Sequence, residues 1–105
     1  MPNMDRMMIM DMPRVERPRE KLMRYGPEKL SDAELLAIIL RTGTKERGVL
    51  DLAGDILKKF GAESLKSQKF ADLKGQPGIG PVKACELVAC FELGRRFLHG
   101  KAYLQ

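Results

Sequence analysis

The sequence predicts a small all-α domain, and three observations carry that prediction. Apolar residues recur at three- and four-residue intervals in several segments between residues 18 and 97. No segment of four to eight residues in the body alternates in the manner of a strand. Gly and Pro punctuate the apolar runs, as they do at helix ends. The 105 residues suit one domain, and the 44% hydrophobic content supplies a modest core. We expect a Met-rich N-terminal arm over residues 1–16, five helices with short connections over 17–97, and the start of a linker over 98–105.

Taken in order, the elements read as follows. Six of the seven Met residues fall in the first twelve positions, where Met8, Met10 and Met12 alternate with Ile9 and Asp11 instead of forming a helical stripe. Pro18 suits a first helical position, and Arg19 to Tyr25 forms a short helix that Gly26 ends. Ser31-Asp32-Ala33-Glu34 is a capping box: the Ser oxygen accepts a first-turn amide, and Glu34 reaches back to the Ser31 amide. Leu35, Ile38 and Ile39 form the apolar face of the second helix, with Gly43 as its left-handed terminal residue. A third helix spans Glu46 to Phe60 with Val49, Leu52, Ala53, Ile56 and Phe60 inward, and stops at Gly61. Ser67 opens a short fourth helix carrying Phe70 and Leu73. The fifth runs from Pro81 to about Phe97, with Ala84, Leu87, Val88 and Phe91 on its buried face.

Composition excludes several classes of function. No apolar run reaches the ~18–20 residues of a membrane-spanning helix. Asp5, Arg6 and Asp11 break the N-terminal Met stretch before it resembles a secretory signal. Cys85 and Cys90 on one helix are too far apart for a disulfide, so both are expected as reduced, buried or half-buried packing residues of a cytoplasmic protein. One His, His99, and the lack of HxH or CxxC pairs leave no metal-ligand cluster and no nucleophile–base pair, so neither a metal site nor an enzyme is expected in this chain. The net charge of +5 allows a polyanionic partner. It is spread thinly, with 7 basic against 5 acidic residues in 1–30, 5 against 5 in 31–60, and 7 against 4 in 61–105.

The segment Gly75-Gln76-Pro77-Gly78-Ile79-Gly80-Pro81-Val82-Lys83-Ala84 holds the functional signal. A dinucleotide fingerprint needs a preceding strand and a third Gly or Ala in register, and a phosphate-binding P-loop needs GxxxxGK[ST]; both fail here. Helix, Pro-Gly-Ile-Gly turn, then helix is the pattern of a helix-hairpin-helix motif. Gly78 and Gly80 can take positive φ, Ile79 pins the hairpin to the flanking helices, and Pro81 at the first helical position loses no hydrogen bond. The amides of Gly80, Val82 and Lys83 then form an anion site to which Lys83 adds a full charge. The alternative is a tight interhelical corner held by Ile79 alone.

A shift of 35 residues aligns Leu35 with Phe70, Ile38 with Leu73, Gly43 with Gly78, Val49 with Ala84, Leu52 with Leu87 and Ile56 with Phe91. Residues 41–47 would be a degenerate first hairpin. Two such units would place Arg41, Lys45 and Arg47 near one nucleic-acid strand, and Lys74 and Lys83 near the other.

Arg17-Pro-Arg-Glu-Lys-Leu22, Leu30 to Gly43, Gly78-Ile-Gly-Pro-Val-Lys-Ala84 and Glu92-Leu-Gly-Arg-Arg96 resemble the N-terminal domain of bacterial RadC proteins over most of residues 8–97. The resemblance implies a role in DNA repair or recombination and a C-terminal JAB/MPN metalloprotein domain, absent from these 105 residues, to which any zinc would belong. It implies hairpin roles for Gly78, Gly80 and Lys83, and in the wider motif class hairpin carbonyls can hold a monovalent cation. The expected function is non-sequence-specific, weak and salt-sensitive DNA binding, with no membrane partner. The alternative is a protein-interaction or regulatory domain whose hairpin is a structural corner. Oligomeric state is left open.

Overall fold

The structure is a computed structural model in which residues 17–99 are described; the Met-rich arm and residues 100–105 lie outside them. Among the described residues there are six α-helices and no strand: α1 (Pro18–Tyr25), α2 (Asp32–Leu40), α3 (Val49–Phe60), α4 (Ala62–Leu65), α5 (Phe70–Lys74) and α6 (Pro81–His99), with a 3-10 turn at Pro27–Lys29. The chain is all-α as expected, with α4 added to the five expected helices. α2 packs on α3, α5 packs on α6, and α2 also touches α6, so two helical pairs share one core.

That core is Leu36, Ala37, Leu40, Leu52, Ala53, Ile56, Leu65, Leu73, Ile79, Ala84 and Leu87, all buried, with Leu40, Leu73 and Leu87 fully enclosed. Truncating one of these leucines to Ala would cost about 2–5 kcal/mol, a large share of what a domain this size has. α3 and α6 turn inward the residues their periodicity selects: Leu52, Ala53, Ile56, Ala84 and Leu87 are buried, and Val49, Phe60, Val88 and Phe91 pack half-buried against them. α2 does not. Leu35, Ile38 and Ile39 are only half-buried, and Leu36, Ala37 and Leu40 take the interior. Asp32 to Leu40 is apolar nearly all round after its first turn, so its own pattern does not choose a face, and packing against α3 does.

The capping box at α2 forms as the sequence requires. Ser31 Oγ accepts the Glu34 amide at 3.2 Å, and a Glu34 carboxylate oxygen accepts the Ser31 amide at 2.8 Å. Lys21 on α1 reaches the same carboxylate at 3.1 Å, which fastens α1 to the start of α2. These contacts, led by the Ser31 amide, hold the Glu34 carboxyl below its ordinary value of 4.5 against the opposing effect of burial.

Several element ends differ from expectation for identifiable reasons. Ser67 does not open a helix: its amide closes the turn after α4 on the Ser64 carbonyl, and α5 begins at Phe70 with Asp72 accepting the Lys69 amide. α3 begins at Val49 rather than Glu46, because residues 44–47 close their own turn, Thr44 Oγ1 accepting the amides of Glu46 and Arg47. The left-handed region at the end of α2 is held by Arg41, at φ 71° and ψ −52°, and not by Gly43. With the Thr42 amide donating to the Leu40 carbonyl, Arg41 is the centre of a γ-turn with positive φ, a rare and strained form. Gly43 serves close approach: a Cβ there would sit 2.1 Å from the Arg47 carbonyl oxygen and 2.6 Å from the Gly48 carbonyl carbon. Cys85 and Cys90, expected to be buried or half-buried, are both exposed, while Ala84 and Leu87 take the inner side of α6.

Two outcomes follow. Gly43→Ala, which drives a methyl group into backbone, should lower unfolding stability in urea by about 1–3 kcal/mol. Gly80→Ala, where nothing lies within 4 Å of the added carbon, should change it by less than about 0.5 kcal/mol. The second outcome concerns pH. Because Glu34 titrates lower folded than unfolded, its contribution is complete above its ordinary value and disappears as pH falls through the lowered folded value. Thermal midpoints of wild type and Glu34→Gln should therefore differ most near neutrality and converge on acidification below that value.

Candidate functional site

The turn between α5 and α6 is built by its own residues. The Ile79 amide donates to the Gln76 carbonyl at 3.0 Å, which closes a β-turn with Pro77 second and Gly78 third. Gly78 has φ 85°, the positive value a type II turn demands at that place. Ile79, 3% exposed, points into the core beside Leu73 and Leu87 and anchors the turn to both helices. Gly80 does not adopt positive φ; it precedes Pro81 in open space, and its carbonyl accepts the Ala84 amide.

This turn lies directly against the loop between α2 and α3. A Cβ on Gly78 would be 2.8 Å from Leu52 Cδ1 on α3 and 3.3 Å from Thr44 Cγ2 in the loop, so any other residue would have to push the Leu52 side chain aside. The Lys83 ammonium donates to the Thr42 carbonyl oxygen of the first loop. Arg41 Nη1 meets Glu86 Oε2 on α6 at 3.0 Å, a second tie between the same segments. Glu86 is the residue that sequence reasoning missed. It stands one turn beyond Lys83 on α6, which was the available signal.

Each of the two touching loops leads into a helix N-terminus preceded by a glycine with no atom close to where a side chain would start: Gly48 before α3 and Gly80 before α6. Their carbonyls accept the amides of Leu52 and Ala84 in the same way. The preceding helices end 34 positions apart, at Leu40 and Lys74, and the following ones start 32 apart, because the first loop (residues 41–48) is two residues longer than the second (75–80). The fixed 35-residue register is therefore not kept through the loops, and Gly48 corresponds to Gly80. The termini are electrostatically unequal. α3 carries Asp51 in its first turn, whereas α6 has no acidic residue there.

Most of the cations assigned to this face already have partners. Arg41 pairs with Glu86, and Arg47 forms two bonds to Asp55 at 2.9 and 3.0 Å. Lys83 serves Thr42, and the Lys74 ammonium lies 5.8 Å from the Phe70 ring centre. Lys45 makes no hydrogen bond or ion pair among the described residues. Val82 is 64% exposed beside Gly80, leaving the approach to the α6 N-terminus unobstructed. Among the described residues no group of three or more His, Cys, Asp or Glu side chains could hold a metal ion, and no helix is long and apolar enough to cross a membrane.

Comparison with known proteins gives consistent family matches. Residues 9–85 match the model of the UPF0758 N-terminal domain. A UPF0758 protein of Geobacillus thermodenitrificans is 50% identical over 97 residues, covering 91% of this chain and 42% of the relative. A UPF0758 protein of Nitrosococcus oceani is 53% identical over 95 residues, covering 88% and 42%. The UPF0758 protein YsxA of Bacillus subtilis is 48% identical over 89 residues, covering 84% and 38%. The chain spans about two-fifths of the length of these relatives. No solved structure matches it. With more than two-thirds of its residues inside the family model and about half of them identical to such relatives, the chain belongs to the UPF0758 family through its N-terminal domain.

Proposed function

We propose that the joined loops form a helix-hairpin-helix type of platform that binds the phosphate backbone of DNA without reading sequence. The observation that supports this best is the contact of the two loops through Lys83 and Thr42, each loop leading into a helix N-terminus preceded by an open glycine. Each N-terminus offers free amides and a positive dipole end, the α6 terminus with fewer competing charges. A glycine at each seat removes the side chain that would keep a sugar-phosphate chain at a distance. The face makes few charged contacts, so binding is expected to be weak and to fall steeply with salt. In full-length relatives the domain would hold a JAB/MPN metal-dependent domain on nucleic acid during repair or recombination.

A monovalent cation held by hairpin carbonyls would add to this platform, since the Gln76 and Gly80 carbonyls, which accept the amides of Ile79 and Ala84, each keep a second lone pair. A second function, protein docking with the loops acting only as corners, is favoured by the outer face of α6, where Leu93, Phe97 and Leu98 are 51%, 68% and 88% exposed.

The separating experiment is fluorescence anisotropy with labelled duplex DNA at about 50 and about 200 mM salt. Gly80→Glu places a carboxylate in the α6 seat without a steric clash. It should weaken binding roughly tenfold or more while leaving the thermal midpoint nearly unchanged. Equal binding by wild type and variant would remove the α6 terminus from the function. Salt-independent behaviour or no binding would leave protein docking as the function.

A further inference from the structure

Beside the joined loops, α1, α2 and the start of α3 enclose an open groove of about 560 Å³. Its floor is aliphatic, made by Pro18, Ala37, Ile38 and Val49, and its rim carries the guanidinium groups of Arg17, Arg19 and Arg41. Arg17 and Arg19 are exposed and make no ion pair among the described residues, which sets them apart from Arg41 and Arg47. Glu20 is the one carboxylate on the rim. Ile38 was assigned to the core on periodicity; it is half-buried because it forms this floor. The groove is continuous with the proposed DNA face, since Arg41 and Thr42 line it and the same two residues receive Glu86 and Lys83 from α6.

We infer that this groove takes an unpaired stretch of the DNA strand whose duplex portion lies on the joined loops, making the domain selective for junctions between single and double strands. This rests on the function proposed above. The occupant must be anionic to match two arginines that have no ion pair among the described residues and face one carboxylate. With Arg41 already paired to Glu86, the charge match rests on Arg17 and Arg19 against Glu20. The occupant must also present an apolar surface to the aliphatic floor, and a nucleotide in single strand offers both, with phosphate outward and base face inward. A base inside a duplex cannot enter, because its faces are stacked and its edges paired. Arginine planes can stack on bases, so the absence of an aromatic side chain from the groove does not leave the base unsupported. An acidic peptide shares part of this chemistry, but it gives no reason for the groove to run into the face carrying the two helix N-termini.

Anisotropy titrations would compare a blunt duplex with the same duplex bearing a short single-stranded extension. Wild type should bind the extended form about tenfold more tightly. Replacing both Arg17 and Arg19 by Ala, on exposed positions, should abolish that difference while leaving blunt-duplex affinity within about twofold and the thermal midpoint in place. Gly80→Glu should lower affinity for both forms together. Equal wild-type affinity for the two forms overturns the junction assignment while leaving the phosphate-binding platform standing. Equal loss on both forms in the double variant also overturns it, since the arginines would then act as general charge. Wild-type binding to neither form overturns both. Capture of a labelled acidic, leucine-containing peptide that depends on Arg17 and Arg19, with no preference for the extended DNA, would assign the groove to a protein partner instead.

Discussion

The fit of Gly78 beneath Leu52 and Thr44 is the constraint on which the rest of the arrangement depends. With φ at 85° and only 2.8 Å between the place of a Cβ and the Leu52 side chain, any other residue here would strain the turn and push Leu52 aside. Once the loops touch, the Lys83 ammonium can meet the Thr42 carbonyl and Arg41 can meet Glu86. Ile79 holds the turn from below by filling the core that both helical pairs share. The positive φ of Gly78, the burial of Ile79 and the strained turn at Arg41 are therefore parts of one joint.

That joint changes what the basic residues do. A count of Lys and Arg near the glycine turn suggests a cationic patch, yet three of the five assigned cations are tied to other protein groups by ion pairs or a hydrogen bond. Arg41 and Lys83 tie the α2–α3 loop to the start of α6, and Arg47 ties that loop to α3. Under the proposed function, the positive potential offered to a phosphate would come chiefly from backbone amides and helix dipoles, which act at short range and discriminate by shape more than by net charge. Such a platform suits a positioning role in a longer chain better than tight binding alone.

Much of this architecture was legible in the sequence, and the exceptions share a cause. The capping box at Ser31, the inward faces of α3 and α6, and the Pro77-Gly78 turn depend on contacts within a few residues, so local spacing reveals them. The inward face of α2 was misjudged because Ala37, Ile38 and Ile39 are all apolar and only contact with α3 separates them. Gly43 was expected at positive φ, but its lack of a side chain answers to the backbone of residues 47–49. Cys85 and Cys90 sit outside because Ala84 and Leu87 already claim the inner side of α6. The partner roles of Lys83 and Glu86 require knowing that residues more than forty positions apart meet. No local pattern carries that information.

The most direct test of the central claim follows backbone amides during titration with a short DNA duplex, by heteronuclear NMR on the isotope-labelled chain. If the helix N-termini after the joined loops hold phosphate, the largest shifts should appear at Gly80, Val82 and Lys83, with smaller ones at Gly48 and Val49, and added salt should reverse them all. Shifts confined to the outer face of α6 around Leu93 and Phe97, or no shifts at all, would contradict the account.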